Sequence, residues 1–137
     1  CQSWHDANGE GTVRDDNVCD EYPPLWGRRS YQAGSSVHRV IKMADFVYAN
    51  MPNKLATHDN PKLTQEEAYD VVAFINDDTK HSRPKPVTKI DYPNMNHKPI
   101  DYGKAPYLDT FSETRHKYGP YQEIIDYYKK IGKKPNY

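Results

Sequence analysis

The residues with chemistry to offer stand first in the chain. It opens CQSWHDANGEG, with a thiol at Cys1 and an imidazole at His5. This is the spacing of C-x-x-C-H, in which two thiols form thioethers with haem vinyl groups and the histidine ligates the iron. Here Trp4 holds the second thiol position, and an indole cannot bond a vinyl group. A soft partner ligand is available far along the chain, as Met51 in the segment NMP. A lone C-x-x-x-H is a weak signal, and it gains force only from the motifs further along the chain.

Cys1 admits other chemistries. It can pair with Cys19 if the two Cα atoms come within ~7 Å. It can also carry lipid, as the first residue of a mature bacterial lipoprotein does. Lipid and haem exclude each other, because one sulfur makes one thioether. His38, His58, His81, His97 and His116 form no metal spacing and are expected in solvent. Glu66, Glu67, Asp77 and Asp78 read as exposed charges at helix ends. No acid–base pair, placed nucleophile or phosphate-binding loop is visible, and the NGEG turn does not match a nucleotide fingerprint.

Three helices can position these groups. Val37, Val40, Ile41, Ala44, Val47 and Tyr48 share one helical face, which predicts a helix over 36–50, capped by Ser36 and ended by Pro52. Thr64 and Glu67 form a capping box ahead of the stripe Ala68, Val71, Val72 and Ile75. Tyr121, Ile124, Ile125, Tyr128 and Ile131 predict a closing helix, with Gly132 as its stop. Residues 1–35 read as ordered loop punctuated by YPPLWG. Residues 82–120 hold six prolines without a period and read as an extended tail laid over the domain. Strands have little support.

With 137 residues, the chain can build one domain with a modest core. Nineteen basic residues balance nineteen acidic ones, so nothing at this level points to nucleic acid or an acidic membrane. No apolar run approaches the ~18 residues of a membrane span.

The ordered set HDANGEG (5–11), YPPLWGRRSYQAG (22–34), ADFVYANMP (44–52) and LTQEEAYDVVAFIN (63–76) resembles the class I cytochrome c domain. The likeness is to single-haem cytochromes related to the second domain of thiosulfate dehydrogenase. RPKP (83–86), KPID (98–101) and FSETRHKYGPYQEI (111–124) continue it through the tail. The resemblance implies that His5 and Met51 are iron ligands and that positions 1 and 4 carry the haem bonds. Trp4 departs from that pattern, as does Asp6, which stands where a glycine usually follows the histidine. The family also places a helix before the haem motif, and none precedes Cys1 in this sequence.

The resulting expectation is an all-α, cytochrome-c-like domain over 1–81 with long ordered loops. A proline- and tyrosine-rich extension over 82–137 wraps it and ends in a helix. The leading functional expectation is a haem-free, non-enzymatic interaction module, exported to the bacterial cell envelope and anchored by lipid on Cys1. Its partner would be another envelope protein, and its only membrane contact the lipid. The alternative is a monohaem c-type cytochrome with one thioether at Cys1 and His5/Met51 ligation, passing single electrons. The family's enzymatic chemistry is expected to need a second haem domain. In a haem-free domain, Trp4, Trp26, Tyr48 and Met51 are expected to fill the haem space. The closing helix is expected to dock on Val71, Val72 and Ile75, unless a partner covers that face.

Overall fold

A computed structural model describes residues 1–15, 18–85 and 90–137. The element order is α1 (Gln2–His5), β1 (Thr12–Val13), β2 (Asp20–Tyr22), α2 (Val40–Asn50), α3 (Gln65–Ile75), α4 (Glu113–Tyr118) and α5 (Gln122–Lys130). Short 3-10 turns cover Ser36–His38 and Met95–His97. The last residue of the RPKP segment lies outside the described residues.

The fold is helix-rich but not all-α. β1 and β2 pair antiparallel, with Thr12 opposite Tyr22 and Val13 opposite Asp20. The pair is too short to show the period-2 alternation by which strands are read from sequence. Arg29 fastens it from outside, with Nη1 on Asp20 Oδ1 at 2.5 Å and Nη2 on the Glu10 carbonyl at 3.0 Å.

α2 and α3 pack on each other and bury Val40, Met43, Ala44, Val47, Ala68, Val72 and Ile75. α3 starts as its capping box dictates. Thr64 Oγ1 accepts from the Glu67 N–H, and the Glu67 carboxylate accepts from the Thr64 N–H. α2 departs from expectation. Its first turn is a separate 3-10 turn, and Arg39 is extended (φ −85°, ψ 128°) between the two. Side-chain bonds on either side open the chain there. His38 is held by the Ala33 carbonyl and Asp78, and Arg39 by Asp101. Ser36 therefore caps nothing.

The extension is not a uniform strap. It contains α4, capped by Ser112 Oγ accepting from the Arg115 N–H. It also builds a second cluster of Ile100, Ile124 and Tyr128, with Leu108, Phe111, Tyr121, Ile125 and Tyr127 around them. α5 thus packs on Ile100, whereas Val72 and Ile75 are buried by α2. The expected docking of the closing helix on α3 is corrected. The apolar surface near Ile100 is built by the extension itself, where the periodic face of α5 meets Ile100, Leu108 and Phe111, which have no readable period.

Among the described residues, polar links tie the extension to the α2–α3 region. Arg39 meets Asp101. Lys117 of α4 donates to Asp78. Arg83 donates to the carbonyls of Leu25 (2.8 Å) and Ile75 and to Asn76 Oδ1 (3.0 Å), with its guanidinium 4.2 Å over the Tyr31 ring. Among the described residues, no helix is long and apolar enough to cross a membrane.

Candidate functional site

α1 is a single turn, and it brings Cys1 and His5 together. The N–H groups of Trp4 and His5 both donate to the Cys1 carbonyl, at 3.1 and 2.9 Å. Cys1 stands at the N-cap of this turn and His5 closes it, so the backbone holds the two residues one turn apart. Cys1 is exposed and its thiol is free; Cys19 is likewise free and exposed.

His5 is oriented by the loop 22–26. Its Nδ1 lies 2.8 Å from the Pro23 carbonyl, which can only accept. Nδ1 therefore carries the hydrogen, and the lone pair sits on Nε2. A carbonyl bond at one ring nitrogen that frees the other is the arrangement of a metal-ligating histidine.

Two loops interlock around this turn. The Leu25 N–H donates to the Gly9 carbonyl (2.8 Å), and the Gly11 N–H to the His5 carbonyl (3.0 Å). Gly11 has φ 75°, and a Cβ there would sit 2.5 Å from the Tyr22 carbonyl oxygen. Asp6 takes φ 70°, ψ 157° directly after His5. That is backbone territory suited to glycine, so the departure noted in the sequence is a strained one.

Met51 follows the last turn of α2, where its N–H donates to the Val47 carbonyl at 2.9 Å. Half-buried, it packs on the rim of the α2–α3 cluster with Leu25, Trp26 and Tyr48. The loop 23–26 is thus a shared strut: Pro23 fixes His5, while Leu25 and Trp26 pack on the cluster that seats Met51.

Trp4 stands apart from the other residues expected to fill the haem space. It meets Tyr22 edge-on, with centroids 4.9 Å apart. Trp26 packs against Gly9, stacked on His81 at 3.9 Å and edge-on to Phe74 at 6.1 Å.

The reading of the other histidines as solvated is corrected for three of them. His38, His81 and His116 are buried. His116 is fully enclosed, with Nδ1 on the Ile100 carbonyl (2.6 Å), Nε2 on Asp109 Oδ1 (3.0 Å) and Tyr107 stacked at 3.6 Å. This is a buried acid–base pair that the sequence does not reveal, because its partners lie seven and sixteen residues away without a motif. Asp78 is also more than a helix-end charge. It accepts from His38 Nε2 (2.9 Å) and from Lys117, with Arg83 Nε 3.9 Å away. Burial pushes its carboxyl up, but these hydrogen bonds and charges outweigh it and hold the group well below the usual carboxylate range. Among the described residues, no three His, Cys, Asp or Glu side chains converge to hold a metal ion.

The donor set fits a haem in part. A lone-pair nitrogen at His5, a thioether sulfur at Met51 and one free thiol at Cys1 match its needs. Trp4 offers nothing to the second vinyl group.

Thiosulfate dehydrogenase from Allochromatium vinosum is 38% identical over 84 residues, covering 61% of this chain and 28% of that protein. The chain is a cytochrome-c-like relative of part of the thiosulfate dehydrogenases. Thiosulfate dehydrogenase from Thiomonas intermedia is 35% identical over 86 residues, covering 62% of this chain and 25% of that protein. The chain thus spans about a quarter of the length of the curated relatives it matches. A solved structure of thiosulfate dehydrogenase (TsdBA) from Marichromatium purpuratum, in its "as isolated" form, aligns at 47% identity and a TM-score of 0.47. It covers 56% of this chain and 15% of that one. No family model matches the chain.

Proposed function

We propose that this chain is a monohaem electron-carrying module that works outside the cytoplasm, in the periplasm, and is not itself the thiosulfate-oxidising catalyst. The observation that carries this reading is the 2.8 Å contact between His5 Nδ1 and the Pro23 carbonyl. It holds the imidazole in the tautomer and orientation a proximal ligand needs. Haem, when bound, supplies a one-electron couple. His5 would give the nitrogen ligand, Met51 the soft sulfur ligand that raises the potential of such centres, and Cys1 a single thioether. The α2–α3 cluster around Met51 keeps that sulfur in an apolar setting.

A second reading is favoured by Trp4. Its indole packs on Tyr22, in keeping with a haem-free interaction module whose exposed Cys1 thiol is open to lipid. One experiment separates the two. The protein is produced with the bacterial cytochrome c maturation system, and its visible spectrum is recorded before and after dithionite and as the pyridine complex. The electron-carrier reading expects a covalently held haem with the shifted α-band of a single thioether, lost in Cys1→Ala. A colourless protein overturns it. An intact mass raised by a diacylglyceryl group would then support the second reading.

A further inference from the structure

α2 lacks a cap of its own, and the extension supplies the missing charge. The N-cap residue Arg39 makes no side-chain cap bond. Asp101, 1% exposed, stands there instead. Its Oδ1 accepts from Arg39 Nε at 2.8 Å, with Nη2 2.7 Å away. The main chain of Ile41, in the first turn of α2, also favours the charged form of this carboxylate. A negative group at this end meets the positive pole of the helix dipole.

Asp101 is itself held by the second cluster. Ile100 is enclosed in it, and the Ile100 carbonyl takes the His116 Nδ1 hydrogen. The Ile100 N–H donates to the Asn136 carbonyl at 2.8 Å. The Tyr102 ring lies 5.2 Å from the Arg39 guanidinium.

Net stability does not explain this pair. Burial pushes the Asp101 carboxyl up despite the opposing pull of Arg39, and a buried ion pair often gains no more than its desolvation costs. A fully enclosed pair does fix position. α2 has eleven residues, which makes it about 16 Å long. Its last turn runs straight into Met51. A shift at its start is carried along the helix to the sulfur.

We infer that Asp101, reaching in from the extension, is a positioning residue for Met51, setting the register of the helix that delivers the sulfur. This rests on the His5/Met51 reading above.

The test uses the whole chain with Arg39→Met and Asp101→Ala together, so that neither charge is left stranded. Ile124→Val is the control, destabilising the second cluster without touching α2. The double variant should speed amide exchange over residues 40–43 about five- to tenfold, as loss of a cap does. It should also move the Met51 methyl resonance. In haem-bearing protein, the methionine–iron charge-transfer absorption should weaken and the midpoint potential fall. Ile124→Val should leave these signals in place. An unmoved Met51 resonance in the double variant overturns the inference, and so does an equal movement in the control. If the protein carries no haem, the electron-carrier reading falls, and the methyl resonance still decides whether Asp101 positions Met51. Should the double variant fail to fold, Asp101→Asn keeps the shape and an acceptor; a smaller shift in the same direction supports the inference, and none overturns it.

Discussion

The α2–α3 cluster is aliphatic, with seven buried apolar residues from two helices. The second cluster buries three, Ile100, Ile124 and Tyr128. Beside them stand enclosed polar groups: His116 between a carbonyl and a carboxylate, and Lys98 with Nζ on the carbonyls of Lys104 (2.6 Å) and Pro106 (2.7 Å). One region is held by apolar area, which is tolerant of detail. The other is held by hydrogen bonds that must all be made, because an unsatisfied buried group loses its full desolvation cost. The second region is therefore the more sensitive to a single polar change and to pH.

The widest test of this contrast cuts an apolar anchor on each side. Ile75→Ala and Ile124→Ala should each cost about 2–5 kcal/mol, the usual range for enclosed aliphatics. The Arg39–Asp101, Asp78–Lys117 and Arg83 links should keep unfolding in one transition for both variants. Calorimetry showing a separate, earlier transition in Ile124→Ala would break the coupling. Next in size is His116→Phe, which keeps the stacking volume on Tyr107 but strands two acceptors. It should cost about 1–3 kcal/mol, whereas the volume-conserving Ile75→Leu in the first cluster should cost less than about 1.5 kcal/mol. Equal costs would remove the distinction.

The pH dependence sharpens it further. Asp78 has its folded carboxyl held below the normal range, so its contribution is present above about pH 4 and is lost as pH falls through that folded value. Asp78→Asn should flatten the acid limb of stability against pH. Lys98 runs the other way. Burial brings its ammonium down to about 8, so the unfolded chain holds that proton more tightly than the folded one. Stability should therefore rise with pH from about 8 until tyrosine ionisation begins near 10. Lys98→Met should abolish that rise in urea titrations at fixed ionic strength. The smallest effect belongs to Asp6→Gly, which relieves the left-handed backbone after His5 and should stabilise by about 1 kcal/mol. A loss of stability would mean that the Asn8 N–H bond to Asp6 Oδ2 (3.3 Å) outweighs the strain.

Features made by near neighbours are the ones legible in the sequence. Thr64 and Glu67 are three residues apart, and the capping box forms as read. The periodic faces of α3 and α5 are likewise contained within their own segments. Cys1 and His5 are legible for the same reason. The bond that orients His5 spans eighteen residues and uses a carbonyl, which no side-chain pattern betrays. His116, Asp78 and Asp101 are unreadable because each finds its partners across turns of irregular chain. Ser36 misleads because a good local cap is overridden by two long-range ties, His38 to Asp78 and Arg39 to Asp101.

The Pro23 acceptor has a consequence for how this site can change over generations. Because the group that holds His5 is main chain, no exchange of one side chain can delete it. Pro24 restricts the backbone of residue 23 to extended conformations, so the direction of that carbonyl is set by the next peptide. The imidazole can thus keep its aim whatever side chain stands at position 4. The aim of His5 is therefore written in the main chain, where a single side-chain exchange does not reach it.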